Sequence, residues 1–164
     1  MTISNIRLRM SIHFVNASWQ ERKGLLMSDD RLMKFAQAKA LDMASRNYFD
    51  HKDPDDVWPN QWVRIFKYVL PEQWPYDANY VESVGKGFSD PESFMEALYV
   101  SEAHRPHVTG NVPFFYAHRY FGVGYAVGSS IDGTPVPLYV LVTAPPELVV
   151  KDNDNHIYLG KIRK

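Results

Sequence analysis

Hydrophobic residues recur at helical spacing in three segments of the chain and at strand spacing in three others. In the first helical segment Ser28 or Asp29 can cap the start, and an apolar residue then returns every three or four positions up to Ala44. This pattern predicts a helix over residues 30–48 with one buried face. A second helix is predicted over 61–70, before Pro71.

The third predicted helix has the clearest start and stop signals in the chain. Asp90 is placed to cap it and Pro91 falls in its first turn. It should end near Ala103, because Pro106 disfavours a helical conformation of the residue before it. The loops around it are rich in Asp, Pro and Gly.

The predicted strands cover residues 80–87, 120–128 and 138–144, and the last two are joined by a turn that contains Asp132-Gly133. The strand at 138–144 is apolar throughout, which indicates a central strand covered on both faces. The order of elements predicts an α+β fold, an antiparallel sheet covered by helices. We take residues 16–146 as the domain, residues 1–15 as a leader of uncertain structure, and residues 147–164 as a tail with a possible last hairpin.

The amino-acid composition argues against several classes of function. The 164 residues are enough for one domain with a real core, and the net charge of −1 argues against a nucleic-acid partner. The absence of cysteine excludes disulfides, thiolate catalysis and zinc–sulfur sites. We read neither a transmembrane segment nor a signal peptide in the sequence. A basic cluster at 161–164 remains a possible local patch, and we interpret the acidic stretch 152–155 as a turn rather than a calcium loop.

Three ordered segments resemble the bacterial-type CAP domain, the superfamily of cysteine-rich secretory, antigen 5 and pathogenesis-related proteins. They are VNASWQERKGLLMSDDRLMKFAQAKALDMASRNYFDH, VESVGKGFSDPESFMEALYVSEAHR, and the strand YFGVGYAVG with its partner LYVLVTA. The match covers roughly residues 14–144. The resemblance implies an αβα sandwich with a surface cleft, which in many members holds two histidines and two acidic residues and can take a divalent metal.

Carried over by position, the resemblance places His51, Glu82 and His104 in that cleft. The second acidic position falls on or near Ser101, as is common in the bacterial pattern, and Ser83 stands where the family has asparagine. Two neutral imidazoles and a carboxylate are a plausible set of ligands for zinc or another divalent cation, with water in the open position. The alternative is structural: His51 caps a loop, Glu82 anchors one, and His104 ties down the end of the third helix.

Other residues extend the candidate site. His107 lies three positions after His104 and can reach the same cleft, although an exposed loop position is the more ordinary interpretation. Tyr80 and Trp62 belong to a ring-rich set that could line a groove for an apolar ligand, with core packing as the commoner fate. Ser101 or Ser83 as a nucleophile, with His104 as base and Glu82 as orienting group, is a weak alternative because no nucleophile elbow surrounds either serine.

Three functions stay open. The first is a non-enzymatic CAP module that binds a small apolar ligand or a protein partner, with metal optional. The second is a metal-dependent hydrolase in which His51 and His104 hold the ion and Glu82 is the general base. The third is a component of a phage or cell-surface assembly. The resemblance favours an extracellular, surface or virion-associated location, and the oligomeric state stays open.

Overall fold

The structure is a computed structural model that describes residues 2–22, 24–151 and 157–159. The predicted tail turn at 152–155 and the basic cluster at 161–164 lie outside the described residues. The elements in chain order are α1 (Ile3–Arg22), β1 (Met27–Ser28), α2 (Asp30–Arg46), α3 (Pro59–Ile65), β2 (Glu82–Lys86), α4 (Pro91–Val100), α5 (Arg105–Thr109), α6 (Pro113–Tyr116), β3 (Tyr120–Ser129), β4 (Pro135–Ala144), β5 (Val149–Lys151) and β6 (Ile157–Leu159).

A four-stranded sheet in the order β1-β3-β4-β2 forms the centre of the fold. Strands β3 and β4 form the predicted hairpin, and β2 pairs antiparallel with the other side of β4. The α+β prediction is confirmed, with one correction. The sheet is mixed rather than wholly antiparallel, because β1 pairs parallel with β3. With two residues, β1 is too short to show a period. Strands β5 and β6 pair as a separate hairpin.

Strand β4 contributes to two cores, as its continuous apolar sequence predicts. Val140 and Val142 face α2, whereas Tyr139 and Leu141 face the layer of α1 and α4. Successive side chains of a strand point to opposite faces, so every position of a covered strand is buried. The result is a three-layer arrangement of helix, sheet and helices.

Two glycines of β3 set the distance between α2 and the sheet. A Cβ atom at Gly122 would lie 2.2 Å from the backbone carbon of Leu32, and one at Gly124 would lie 2.0 Å from the backbone oxygen of Ala36. Helix α2 therefore rests directly on the strand backbone. The GVG sequence of the strand is the local feature that permits this contact.

Helix α1 is the longest of the elements that the sequence pattern did not indicate. The domain boundary drawn after residue 15 falls inside it, and its residues Met10 and Phe14 are fully buried against the core that contains Phe121. The helix also exposes large apolar side chains on another side, among them Leu8 and Trp19. Apolar residues all round the helix blur the 3.6-residue period on which the prediction rests.

Two helix caps agree with the predictions, whereas two helix boundaries differ from them. Asp29 caps α2 by accepting hydrogen bonds from two backbone N–H groups, and Asp90 caps α4 by accepting one from the backbone N–H of Ser93. Helix α3 begins at Pro59 and ends earlier than predicted, and Lys67 beyond it adopts a positive φ of 69°. Pro106 does not merely follow the third predicted helix, because it lies in the first turn of the new helix α5.

A polar cleft at the edge of the sheet

A cleft of about 210 Å³ opens at the β2 edge of the sheet. Four chain segments meet there: the loop after α2, the residues that lead into β2, the connection from α4 into α5, and α6 through Phe115. Its walls include His51, Glu82, His104, His107, Tyr80 and Ser83. The fold therefore brings together the cleft residues that the resemblance implied, across 53 positions of sequence between the first and second histidine.

Strand β2 presents different side chains to the two halves of the cleft. Glu82 pairs in register with Val142, which faces α2, and Ser83 pairs with Leu141, which faces the opposite layer. Glu82 consequently meets His51, which follows α2, while Ser83 meets His107 of α5. The side-chain alternation of one edge strand divides the site into two groups of contacts.

His51 is held by the buried carboxylate of Glu82. The His51 Nδ1 atom lies 2.8 Å from Glu82 Oε1, and the Glu82 side chain is fully buried. Nδ1 donates to this oxygen when Glu82 is ionised, and the side-chain nitrogen of Asn79 lies 3.0 Å from the same Nδ1 atom. When His51 is neutral, the Nε2 lone pair is then free, and no described residue bonds it.

Two further residues fix the loop and β2, and both were missed from the sequence. The buried Lys39 ammonium donates to the backbone oxygen of His51 at 2.7 Å, and burial lowers the pKa of Lys39. The Asn79 side chain accepts from the backbone N–H of Glu82 at 2.9 Å and donates to the backbone oxygen of Glu82, also at 2.9 Å. The sequence feature that points to Lys39 is a lysine on the apolar, buried face of a predicted helix.

His104 occupies the turn between α4 and α5. Its Nδ1 atom lies 2.9 Å from Ser101 Oγ. Partial burial lowers the pKa of His104, and the positive charge of a protonated His51 lowers it further. The serine triad considered from the sequence is not formed, because Glu82 orients His51 rather than His104 and Ser83 bonds to His107.

The donor set of the cleft falls short of a complete metal centre. Glu82 Oε1 is engaged with His51, and Glu82 Oε2 is buried without a hydrogen-bond partner. Catalytic zinc sites ordinarily have three protein ligands and an open position. In the part of the chain that the structure describes, no three His, Cys, Asp or Glu side chains are grouped to hold an ion. The two histidines alone do not fit a stable metal site.

A chain of buried hydrogen bonds lies beneath the cleft. His107 Nδ1 lies 2.7 Å from Ser83 Oγ, and its Nε2 lies 2.7 Å from Thr143 Oγ1. The same hydroxyl lies 2.7 Å from His118 Nδ1. The interpretation of His107 as an exposed loop residue is wrong, because α5 carries it into the core and only 3% of it is exposed. The sequence feature that points to these buried hydrogen bonds is Thr143, the one threonine in the apolar strand LYVLVTA.

Both buried imidazoles are held neutral. Burial lowers the pKa of His107 well below its ordinary value, and burial together with the positive charge of Arg22 lowers that of His118 to about 3. Arg22 is itself buried and donates to the backbone oxygen of His118. Among the described residues, its Nε and Nη2 have no partner, and burial lowers the pKa of Arg22 to about 10.

The two candidate ring residues lie in different environments. Tyr80 lines the cleft, with 37% of its surface exposed. Trp62 lies outside the cleft lining, since it stacks on Phe35 and Phe66 and its indole N–H donates to Asp53 Oδ2 at 3.0 Å. Trp62 therefore packs against the core, and its ligand-binding role stays a prediction.

The sequence is similar to that of a curated protein, although no family model matches it. The uncharacterized protein YkwD of Bacillus subtilis (strain 168) is 32% identical over 122 residues, which are 73% of this chain and 42% of that protein. The chain thus spans less than half of this curated relative. For the described residues, no helix is long and apolar enough to cross a membrane.

Solved structures extend the likeness to the fold. An extracellular protein containing a SCP domain from Bacillus anthracis str. Ames has a TM-score of 0.57 at 17% identity, over 85% of this chain and 42% of that chain. An outer surface protein from Borrelia burgdorferi has a TM-score of 0.54 at 16% identity, over 84% and 92%. MpPR-1i has a TM-score of 0.53 at 13% identity, over 94% and 96%. By topology, cleft and likeness, the chain has the SCP-domain fold of the CAP superfamily, built here without cysteines.

Proposed function

We propose that this chain is a non-enzymatic recognition module that binds a small polar ligand in the cleft of His51, Glu82 and His104. The observation that carries the proposal is the pre-formed pair of imidazoles. Each is bonded through Nδ1, to Glu82 Oε1 or Ser101 Oγ, and no described residue bonds either Nε2. Convergent, pre-positioned polar groups in a concave site are typical of ligand recognition.

We place this activity outside the cell. Two proteins of similar structure are described as an extracellular protein and an outer surface protein. The likeness to these two proteins supports an extracellular or surface location. A fold that is held by packing and hydrogen bonds, without cysteines, is compatible with either redox environment.

The test is an NMR titration of the chelator-treated protein with a panel of small probes: an oligosaccharide, an amino acid, a nucleotide and a fatty acid. We expect at least one polar probe to shift the backbone amides of Asn79, Glu82 and His104. The same shifts should persist in His13→Ala, whose half-exposed histidine lies on α1 away from the cleft. If no probe moves the cleft amides, the recognition proposal is wrong.

A metal-dependent hydrolase is the second candidate, favoured by one observation. A histidine whose Nδ1–H donates to a carboxylate is the arrangement found behind many metal-bound imidazoles. His51 and Glu82 have this arrangement, and His104 would be the second ligand. Zinc or another divalent cation would then need exogenous ligands to complete its coordination.

Calorimetric titration with zinc separates the two candidates. With only two imidazoles available, we expect no stoichiometric binding at micromolar affinity by the chelator-stripped protein. Tight binding that is lost in both His51→Ala and His104→Ala would instead establish the metal site and make hydrolase assays worthwhile.

A role in a phage or cell-surface assembly predicts a large apolar contact surface. Helix α1 exposes Leu8, Ile12 and Trp19. Nothing in the structure shows what covers these side chains, so the recognition module remains the better supported proposal.

A further inference from the structure

A cluster of three aromatic rings adjoins the cleft. Tyr80 belongs both to the cleft wall and to this ring cluster, which we define as Trp74, Tyr80 and Phe114. The Trp74 and Tyr80 centroids are 5.3 Å apart, and those of Tyr80 and Phe114 are 5.8 Å apart. Tyr80 and Phe114 expose 37% and 41% of their surface, so the cluster forms an accessible apolar rim on a polar cleft.

The rings contact one another too closely to enclose a ligand between them. Trp74 and Phe114 are stacked with their centroids 5.3 Å apart and an interplanar angle of 24°. A cage for an organic cation needs ring faces separated around a central space. The ring cluster is instead a platform, and a ligand can lie on its outer surface only.

The platform is held rigidly by side chains of α3. The buried Asn60 donates to the backbone oxygen of Pro75 at 2.8 Å and accepts from the backbone N–H of Tyr80 at 3.0 Å. Arg64 donates to the backbone oxygens of Pro71 and Trp74. Because these bonds fix the loop before binding, a ligand would not have to order it.

We propose that the ring cluster and the cleft together form a saccharide-binding site, an inference that rests on the recognition function proposed above. A sugar ring has a C–H face that packs on an aromatic surface and hydroxyl groups at its edge. Tyr80 and His51 line the same cleft, and neither the Tyr80 hydroxyl nor the His51 Nε2 atom has a partner among the described residues. A sterol or acyl chain would need an enclosed apolar cavity, whereas this cleft is largely polar.

The experiment titrates the full chain, treated with chelator, with three trisaccharides (chitotriose, cellotriose and maltotriose) at up to millimolar concentration. Binding is followed by the indole resonance of Trp74 and by calorimetry. We expect at least one trisaccharide to bind, and Tyr80→Ala or Phe114→Ala to weaken it about tenfold each through loss of ring contact. Tyr80→Phe should retain more of the affinity than Tyr80→Ala, because it keeps the ring.

Trp19→Ala is the matched control. Trp19 is also 60% exposed, but it lies on α1 and belongs neither to the cleft lining nor to the ring cluster. We expect this variant to bind as the wild type does, and circular dichroism should show every variant folded.

The outcomes distinguish the two proposals. If no trisaccharide binds while another polar probe shifts the cleft amides, the saccharide inference is wrong and the recognition function stands. If nothing shifts the cleft, both are wrong. Trisaccharide binding that is insensitive to Tyr80→Ala and Phe114→Ala, or that Trp19→Ala weakens equally, also overturns the site. Fatty acid or sterol binding at the ring cluster, without any saccharide, contradicts the assigned ligand class.

Discussion

The histidines of the cleft and those beneath it have similar partners but opposite surroundings. His51 has 36% of its side chain exposed and bonds a carboxylate, and His104 is half-buried and bonds a hydroxyl. His107 and His118 are buried at 3% and 0% exposure and share one hydroxyl, that of Thr143. Each ring of the first pair keeps one nitrogen available at the cleft, whereas both rings of the second pair form their hydrogen bonds in the interior.

This difference indicates that burial, rather than the type of hydrogen-bond partner, determines the role of each imidazole. A buried neutral imidazole needs its hydrogen bonds, because water cannot replace them. An imidazole at a cleft can exchange its partner for water or ligand at little cost. The buried pair should therefore determine stability and the cleft pair should determine binding.

The largest effect expected at neutral pH comes from removing the hydroxyl that the buried pair shares. Thr143→Val keeps the side-chain shape but leaves two buried ring nitrogens without a partner. At about 1–3 kcal/mol for each unsatisfied group, we expect the free energy of unfolding to fall by about 3 kcal/mol in urea denaturation.

Ser101→Ala is the matched control for that measurement. It removes the hydroxyl partner of His104, which water can replace, so the loss should stay below about 1 kcal/mol. Equal losses in the two variants would show that burial does not separate the pairs.

Sequence reasoning reached the cleft residues but not the buried chain, for a physical reason. His51, Glu82 and His104 lie in segments whose resemblance to a family covers their neighbours as well, so they were predicted together. Thr143 and His118 acquire their roles only when β4 is placed against α5 and the segment after α6. Spacing along the chain carries no information about which buried polar groups will meet across the sheet.

The same limit applies to the fold. The main strands and two helix caps, Asp29 and Asp90, were predictable because their signals are local. Helix α1 was not, because its apolar residues lie on more than one side and its buried face is defined only by the sheet it covers. His107 was misjudged because Pro106 lies in the first turn of a helix, α5, that carries His107 into the core.

The second expected effect is a loss of stability in acid. His118 has an ordinary pKa of 6.5 in the unfolded chain and about 3 in the folded protein. Below pH 6.5 the unfolded state binds a proton that the folded state does not, so stability falls as pH falls from 6.5 towards 3. The slope is about 1.4 kcal/mol per pH unit for such a group, and His107 should add to it.

The measurement is urea denaturation at several pH values between about 4 and 7 for wild type, His118→Gln and His104→Gln. His118→Gln should reduce the slope by close to one proton, and His104→Gln by less, because His104 is only partly buried. A slope that neither variant changes would mean that carboxylates, not the buried imidazoles, govern stability in acid.

The smallest expected effect tests whether the two cleft imidazoles are coupled. Partial burial and the charge of protonated His51 both lower the pKa of His104. His51→Ala removes the second cause and leaves the first, so the pKa of His104 should rise towards its ordinary value without reaching it. NMR titration of the His104 ring measures it directly, and His13→Ala, distant from the cleft, supplies the control. An unchanged pKa of His104 in His51→Ala would mean that the two rings act independently. The proposal that one ligand contacts both rings would then lose its main support.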